Sequence, residues 1–313
     1  MRTPLVPALD HAGELYLKPE SLQPVGSFKI RGAFNKIASL SPAQRKRGVI
    51  AYSSGNHAQA VAYAARKLGI KAVIVIPAIA PEVKRRAAAA LGAELVLVGP
   101  GSDERQARAE ALAGQHGYAI IPPFNDEQII AGQGTIGLEI LEDLPDASCV
   151  LVPVSGGGLI SGIATAIKLR RPKTKVIGVE PELAADARAS LRSGKRVSLP
   201  AEQTTRTIAD GLRSQSVGEI TFKLINKYVD DIVTVGEEEI REAIRRLLTL
   251  RLIIEPSGAV AYAAFLFHRD ELPKSKKAVA VLSGGNIEPA LLSEILSAKA
   301  AAPRSVQSGA FST

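Results

Sequence analysis

Short apolar runs alternate along this chain with stretches of helical periodicity. The runs cover residues 48–53, 71–77, 94–98, 118–121, 149–154, 175–180, 232–235 and 277–282. Most are continuous and rich in Val and Ile, the pattern of strands buried on both faces of a parallel sheet. Between them lie helical patterns such as 81–91, 103–114, 237–250 and 258–272, with Pro81 suited to a first helical position. This alternation predicts α/β architecture with right-handed crossovers. The compact strand–helix units of residues 48–131 predict a smaller, mobile α/β domain, and residues 1–47 and 132–313 a larger, discontinuous one. The segment from residue 301, rich in Ser, Ala and Gly, is expected to fray.

A length of 313 residues is enough for a large core and two domains. The formal charge of +8 raises the question of nucleic acid, but the basic residues are dispersed. The densest groups, Lys84-Arg85-Arg86 and those within 241–246, read as solvated helix faces. Trp is absent and aromatic residues are few, so no stacking platform for bases is visible and nucleic acid is not an expected partner. Cys149, the one cysteine, lies in an apolar run, cannot form an internal disulfide and reads as a small core residue. Four histidines without a cysteine cluster argue against zinc. With no signal-peptide pattern and no long uncharged apolar stretch, the expectation is a cytoplasmic protein without a membrane partner.

Four short segments carry chemistry. In Gly26-Ser27-Phe28-Lys29-Ile30-Arg31-Gly32-Ala33, a lysine stands between two apolar residues, with Ser27 fitting an N-cap for a helix to about Leu40. A single lysine is ordinarily a surface residue; an apolar wall lowers the pKa of an amine and favours imine formation with a carbonyl. Ser53-Ser54-Gly55-Asn56-His57 joins an apolar run to a helical pattern, putting hydroxyls, an amide and backbone N–H groups at a helix N-terminus, an anion site suited to a carboxylate. Ser155-Gly156-Gly157-Gly158-Leu159 likewise joins a strand to a helix, and its glycines allow backbone N–H groups to wrap a phosphate. No Walker lysine follows, which argues against a nucleoside triphosphate. Ser283-Gly284-Gly285-Asn286 ends another strand, where Ser283 would offer a neutral hydroxyl to a ligand at the carboxyl edge of the sheet. Together the segments ask for an aldehyde cofactor with a phosphate tail, held on Lys29. The run Gly132-Gln133-Gly134-Thr135-Ile136-Gly137 matches a dinucleotide fingerprint in its letters, but residues 126–131 before it read as the start of a helix rather than a strand.

These strings, with Ala131-Gly132-Gln133-Gly134-Thr135 and Thr207-Ile208-Ala209-Asp210-Gly211, resemble the pyridoxal-phosphate-dependent serine/threonine dehydratase family, which includes serine racemases. The resemblance runs from Thr3 to about Pro289 and implies the tryptophan synthase β-like fold (fold type II), with two open αβα sheets. It implies that Lys29 carries pyridoxal 5'-phosphate and moves the α-proton. Phe28 would pack on the ring, Asn56 bond the ring hydroxyl and Ser283 the pyridine nitrogen. Ser155, Gly156, Gly157, Gly158 and Leu159 would hold the phosphate, while Ser53, Ser54, Asn56 and His57 receive the substrate carboxylate. Phe124 and Asn125 resemble a substrate-side strip, and Glu255 falls near the ring. In serine racemases, positions matching Glu180, Ala184 and Asp186 bind Mg²⁺ or Ca²⁺, through two carboxylates and a backbone carbonyl. A homodimer is also implied.

The chain departs from the pattern in places. The family usually carries a further helix's length of chain before Thr3, and the loop of residues 5–14 looks shortened. Ser155 stands where many relatives have glycine, and Pro122 where dehydratases often have histidine. With no regulatory domain after Pro289, isoleucine feedback is not expected. The implied reaction is β-elimination from L-threonine or L-serine to a 2-oxo acid and ammonia. Serine racemase is the nearest alternative, with Ser54 as the second acid/base; threo-3-hydroxyaspartate ammonia-lyase is another. A catalytically silent binding protein on this fold would be expected to lose Lys29 or the glycines, and both are present.

Overall fold

The computed structural model describes residues 1–8, 14–53, 55–80, 82–99 and 101–298. Ser54, Pro81, much of the loop 5–14 and the segment from residue 301 lie outside them. The strands are β1 (Val6–Pro7), β2 (Leu15–Pro19), β3 (Val49–Tyr52), β4 (Ala72–Pro77), β5 (Glu94–Val98), β6 (Ala119–Ile120), β7 (Cys149–Pro153), β8 (Lys175–Pro181), β9 (Asp231–Val235) and β10 (Ala278–Leu282). Each of the eight apolar runs matches one to within a residue at either end. β1 and β2 escaped the pattern because one has two residues and the other carries Lys18, whose Nζ is buried against the Thr3 carbonyl and Glu139, each at 2.7 Å.

The helices are α1 (Lys29–Ala38), α2 (Pro42–Arg47), α3 (Asn56–Lys67), α4 (Glu82–Ala90), α5 (Ser102–His116), α6 (Glu127–Asp143), α7 (Gly158–Arg170), α8 (Asp186–Ser193), α9 (Ala201–Thr204), α10 (Glu219–Tyr228), α11 (Glu237–Thr249), α12 (Pro256–Phe267) and α13 (Pro289–Ser297). The expected N-cap at Ser27 is not found. Phe28 takes that position, with no side-chain cap, while Ser27 pairs with Gly284 in an isolated β-bridge.

Two sheets organise the molecule. The larger has the order β1-β2-β10-β7-β8-β9, parallel except for β1 against β2; the smaller has β5-β4-β3-β6, all parallel. Successive side chains of a strand serve opposite faces. Leu151, Ile177, Val233 and Ala280 join one core cluster with α11 and α12, and Val150, Val152, Val176 and Val279 join another with α6 and α7. Ile74 and Ile76 pack with α1 and α3, and Val73 and Val75 with α5.

The fingerprint-like glycines lie inside α6, which Asp126 caps by accepting from the Gln128 and Ile129 amides. Their job is close helix packing. A Cβ at Gly132 would lie 2.5 Å from the Arg31 carbonyl oxygen of α1, and one at Gly137 2.9 Å from the Ile163 carbonyl oxygen of α7. Among the described residues, no helix is long and apolar enough to cross a membrane.

Candidate active site

The carboxyl ends of β3, β7 and β10 open on one cleft of about 720 Å³, joined there by the start of α1 and by residues 122–125 and 210–216. Lys29 is the first residue of α1. Its position is fixed by backbone bonds to the end of β10: the Phe28 amide donates to the Ser283 carbonyl at 3.0 Å and the Gly285 amide to the Gly26 carbonyl at 2.9 Å. Lys29 Nζ donates to the Pro123 carbonyl at 2.7 Å and stands 5.3 Å from the centre of the Phe28 ring. Burial lowers its pKa to about 8, since a desolvated ammonium gives up its proton more readily.

At the start of α3, Asn56 Nδ2 donates to Glu255 Oε1, and Asn56 Oδ1 accepts from Asn286 Nδ2, both at 2.7 Å. Asn286 Nδ2 also reaches the Val25 carbonyl at 2.9 Å. His57 Nε2 meets the Ile121 carbonyl at 2.8 Å. Burial first, and then the charge of Lys29, hold its pKa down to about 3, so the ring is neutral. A carbonyl only accepts, so Nε2 carries the hydrogen and Nδ1 is an acceptor. His57 therefore has no ring N–H left for a carboxylate, and its contribution to an anion comes from the helix terminus. Ser53 lines the cleft, and its Oγ accepts from the Gly55 amide at 3.3 Å; Ser54 lies outside the described residues.

On the facing side, Gly157 has φ +90°, a left-handed conformation natural to glycine, and caps α7. A Cβ at Gly156 would stand 2.3 Å from the Phe124 ring. The Gly156 carbonyl accepts from Thr221 Oγ1 at 2.7 Å and from the Gly218 amide at 3.3 Å. Ser155, Gly156, Gly157, Gly158 and Leu159 all line the cleft, as do Phe28, Ser283 and Glu255. Ser283 Oγ lies 3.4 Å from the Ser257 carbonyl. Asn125 accepts from the Ile220 amide at 2.9 Å, tying the strip of residues 122–125 to α10.

Glu180, Ala184 and Asp186 form a separate place beside α8, away from the cleft lining. All three are buried. Glu180 accepts from the Ala187 and Arg188 amides at 3.0 and 2.8 Å. No hydrogen-bond partner among the described residues reaches either Asp186 carboxylate oxygen. Burial and the neighbouring Asp186 push the Glu180 carboxyl well above its usual range, and burial pushes Asp186 up to about 7. Two buried carboxylates without a cation are an unfavourable pair. No cluster of three His, Cys, Asp or Glu side chains suited to a metal occurs among the described residues, so any ion here would need backbone or water oxygens as well.

Several cleft residues had no assigned role in the sequence reading. Asn286 was legible as the last letter of its Ser-Gly-Gly-Asn string. The Pro123 carbonyl and Ser214 carried no signal, because only the fold brings a loop carbonyl and a remote serine to the site.

Known proteins resemble this chain over most of its length. A family model described as pyridoxal-phosphate dependent enzyme matches residues 1–284. The L-threonine ammonia-lyase of Thermotoga maritima is 50% identical over 285 residues, which is 91% of this chain and 70% of that protein. The processed form of threonine deaminase isoform 2 from Solanum lycopersicum superposes with a TM-score of 0.89 at 42% identity, covering 94% of this chain and 87% of the other. Maize serine racemase gives a TM-score of 0.89 at 37% identity, covering 95% and 92%.

Proposed function

Because the chain belongs to the pyridoxal-phosphate dependent enzyme family, we propose that it removes water from L-threonine or L-serine and releases a 2-oxo acid and ammonia. The observation that carries this reading is the Lys29 amine, half-buried beside Phe28 and facing a triple-glycine helix start across one cleft. The residues fit the cofactor: the glycine loop has no side chain to fill its cradle, and the lysine is desolvated. When bound, pyridoxal phosphate supplies the aldehyde that Lys29 takes up and a ring that acidifies the Cα–H bond of an attached amino acid.

The chain's own residues supply placement and proton transfer. With a pKa of about 8, an appreciable share of Lys29 is neutral near pH 7, available as nucleophile and then as the base that takes the α-proton at Nζ. Backbone N–H groups of residues 156–159 would hold the phosphate, with Ser155 beside them. Phe28 would cover one ring face. Asn56 gives one amide hydrogen to Glu255, which leaves the other for the ring hydroxyl, and Ser283 would offer the ring nitrogen a neutral hydroxyl. Ser53, Ser54 and the N–H groups at the start of α3 receive the carboxylate; His57 stays neutral there.

Purified protein with added pyridoxal phosphate should show a visible absorbance band that Lys29→Ala loses, and should form 2-oxobutanoate from L-threonine. A band without any 2-oxo acid from threonine or serine would overturn the elimination. The racemase alternative is supported by the orphaned Asp186 oxygens, which suit Mg²⁺ or Ca²⁺ held with Glu180 and the Ala184 carbonyl. D-serine forming faster than pyruvate would move the assignment there. A cytoplasmic homodimer is part of the same proposal, and light scattering during gel filtration tests the dimer.

A further inference from the structure

Ser155 opens the glycine loop, yet its side chain is engaged elsewhere. Ser155 Oγ donates to Ser214 Oγ at 2.8 Å, and the Ser214 amide donates back to Ser155 Oγ at 3.4 Å. The two bonds close a small ring. A hydroxyl has one hydrogen and two acceptor sites. Ser155 accepts the amide hydrogen and gives its own to Ser214 Oγ, so the Ser214 hydroxyl keeps its hydrogen free. Apart from Ser155 Oγ itself, no protein acceptor for that hydrogen is found among the described residues, and both serines line the cleft.

The loop behind Ser214 is fastened on its far side. Arg213 Nε and Nη2 donate to the Thr207 carbonyl at 3.0 and 2.6 Å, Thr204 Oγ1 donates to the Arg213 carbonyl, and the Leu199 amide to the Gln215 carbonyl. On the cleft side, Ser155 is the side chain that sets the Ser214 rotamer. A glycine at 155 would keep the backbone N–H and remove this control.

We propose that Ser155 is a positioning residue that aims the Ser214 hydroxyl as a hydrogen-bond donor at an oxyanion bound in the cleft. This rests on the functional reading above, which puts two oxyanions there: the cofactor phosphate and the amino-acid carboxylate. An accepted hydrogen bond polarises a hydroxyl and strengthens the bond it donates, so the pair acts as one unit.

The test compares Ser155→Ala, Ser214→Ala, the double variant and Ser155→Thr. Inorganic phosphate titrated calorimetrically into cofactor-free protein reads the phosphate; the KM for L-threonine at saturating cofactor reads the carboxylate. Each single alanine variant should weaken one of these constants roughly tenfold, the loss of one hydrogen bond to a charged group. The double variant should lose no more than either single one, and Ser155→Thr should bind as the parent does. Losses that multiply in the double variant would overturn the proposal, as would a Ser155→Ala protein with both constants unchanged. A parent protein that forms no visible band with pyridoxal phosphate would overturn the underlying reading, and this inference with it. A parent that forms the band beside an unaffected Ser155→Ala removes the inference alone.

Discussion

Desolvation takes more from the charged Lys29 amine than its bond to the Pro123 carbonyl returns, and the pKa falls to about 8. This has a consequence for the cofactor-free protein. Between about 8 and the ordinary lysine value of 10.5, the unfolded chain binds more protons than the folded one, so stability rises with pH across that window. Below pH 8 the folded state carries a poorly solvated charge. Lys29→Met should therefore raise the unfolding free energy of cofactor-free protein at pH 7, by on the order of 1–3 kcal/mol, towards the low end because the amine opens on the cleft. The gain should vanish above about pH 10.5; equal gains at pH 7 and pH 11 would show a packing effect instead. Gly156 is a second sensitive residue. An added Cβ would stand 2.3 Å from Phe124, so Gly156→Ala should weaken pyridoxal phosphate binding at least tenfold and destabilise the fold by about 1–3 kcal/mol, measured by titrating the visible band and by urea unfolding.

At the scale of elements, α1 is held from behind by a buried ion network. Arg31 pairs with Glu20 through Nε and Nη2 at 2.7 and 2.8 Å, and with Glu139 through Nη1 and Nη2 at 2.6 and 2.8 Å, while Lys18 also reaches Glu139. Removing one partner strands the other charges, so Arg31→Met should lower stability by about 3–5 kcal/mol in urea unfolding. A loss below 1 kcal/mol would show that water enters the network. A second clamp joins α12 to α11: His268 bonds Glu239 at 2.9 Å and Glu271 at 2.7 Å. Burial would lower this imidazole, but the two carboxylates outweigh it and raise its pKa. Its stabilisation is complete below the ordinary histidine value of about 6.5 and is lost as pH rises through the raised value. His268→Asn should thus destabilise by up to about 1 kcal/mol at pH 5.5 and by less at pH 9. Neither device was legible in the sequence. Glu139 is far in the chain from Lys18, Glu20 and Arg31, and a charged residue reads as exposed until its partners are known. The Val- and Ile-rich runs were legible because parallel strands buried on both faces favour β-branched apolar residues. The phosphate-loop glycines and Lys29 were legible because each sits at a strand or helix end, where local sequence fixes local geometry. Ser214 was not, since its place in the cleft depends on how the loop of residues 210–216 folds back over β7.

At the scale of the molecule, the cleft lies where the ends of the two sheets meet. Asn56, at the start of the helix after β3, reaches Glu255 and Asn286 on the side of the larger sheet. We propose that residues 48–131 move as a smaller unit about this seam. The α1 side chains Ile30, Ala33 and Ile37 share the hydrophobic cluster of the small sheet, and α1 would then be the surface on which that unit turns. A group on one side that bonds an amino acid whose cofactor is anchored on the other side draws the two together, and water leaves the space around Lys29. The ligand that tests this is 2-methylserine with saturating pyridoxal phosphate, since it has no Cα hydrogen to lose. Its addition should slow amide hydrogen exchange at residues 55–57 on the smaller unit and 286–288 on the larger, which line the cleft from its two sides, and reduce the radius of gyration in solution scattering. Asn56→Ala should weaken both effects by removing the bridge. Protection confined to residues 156–159, with an unchanged radius, would mean that the cofactor binds to a cleft already closed and that residues 48–131 do not move as a unit.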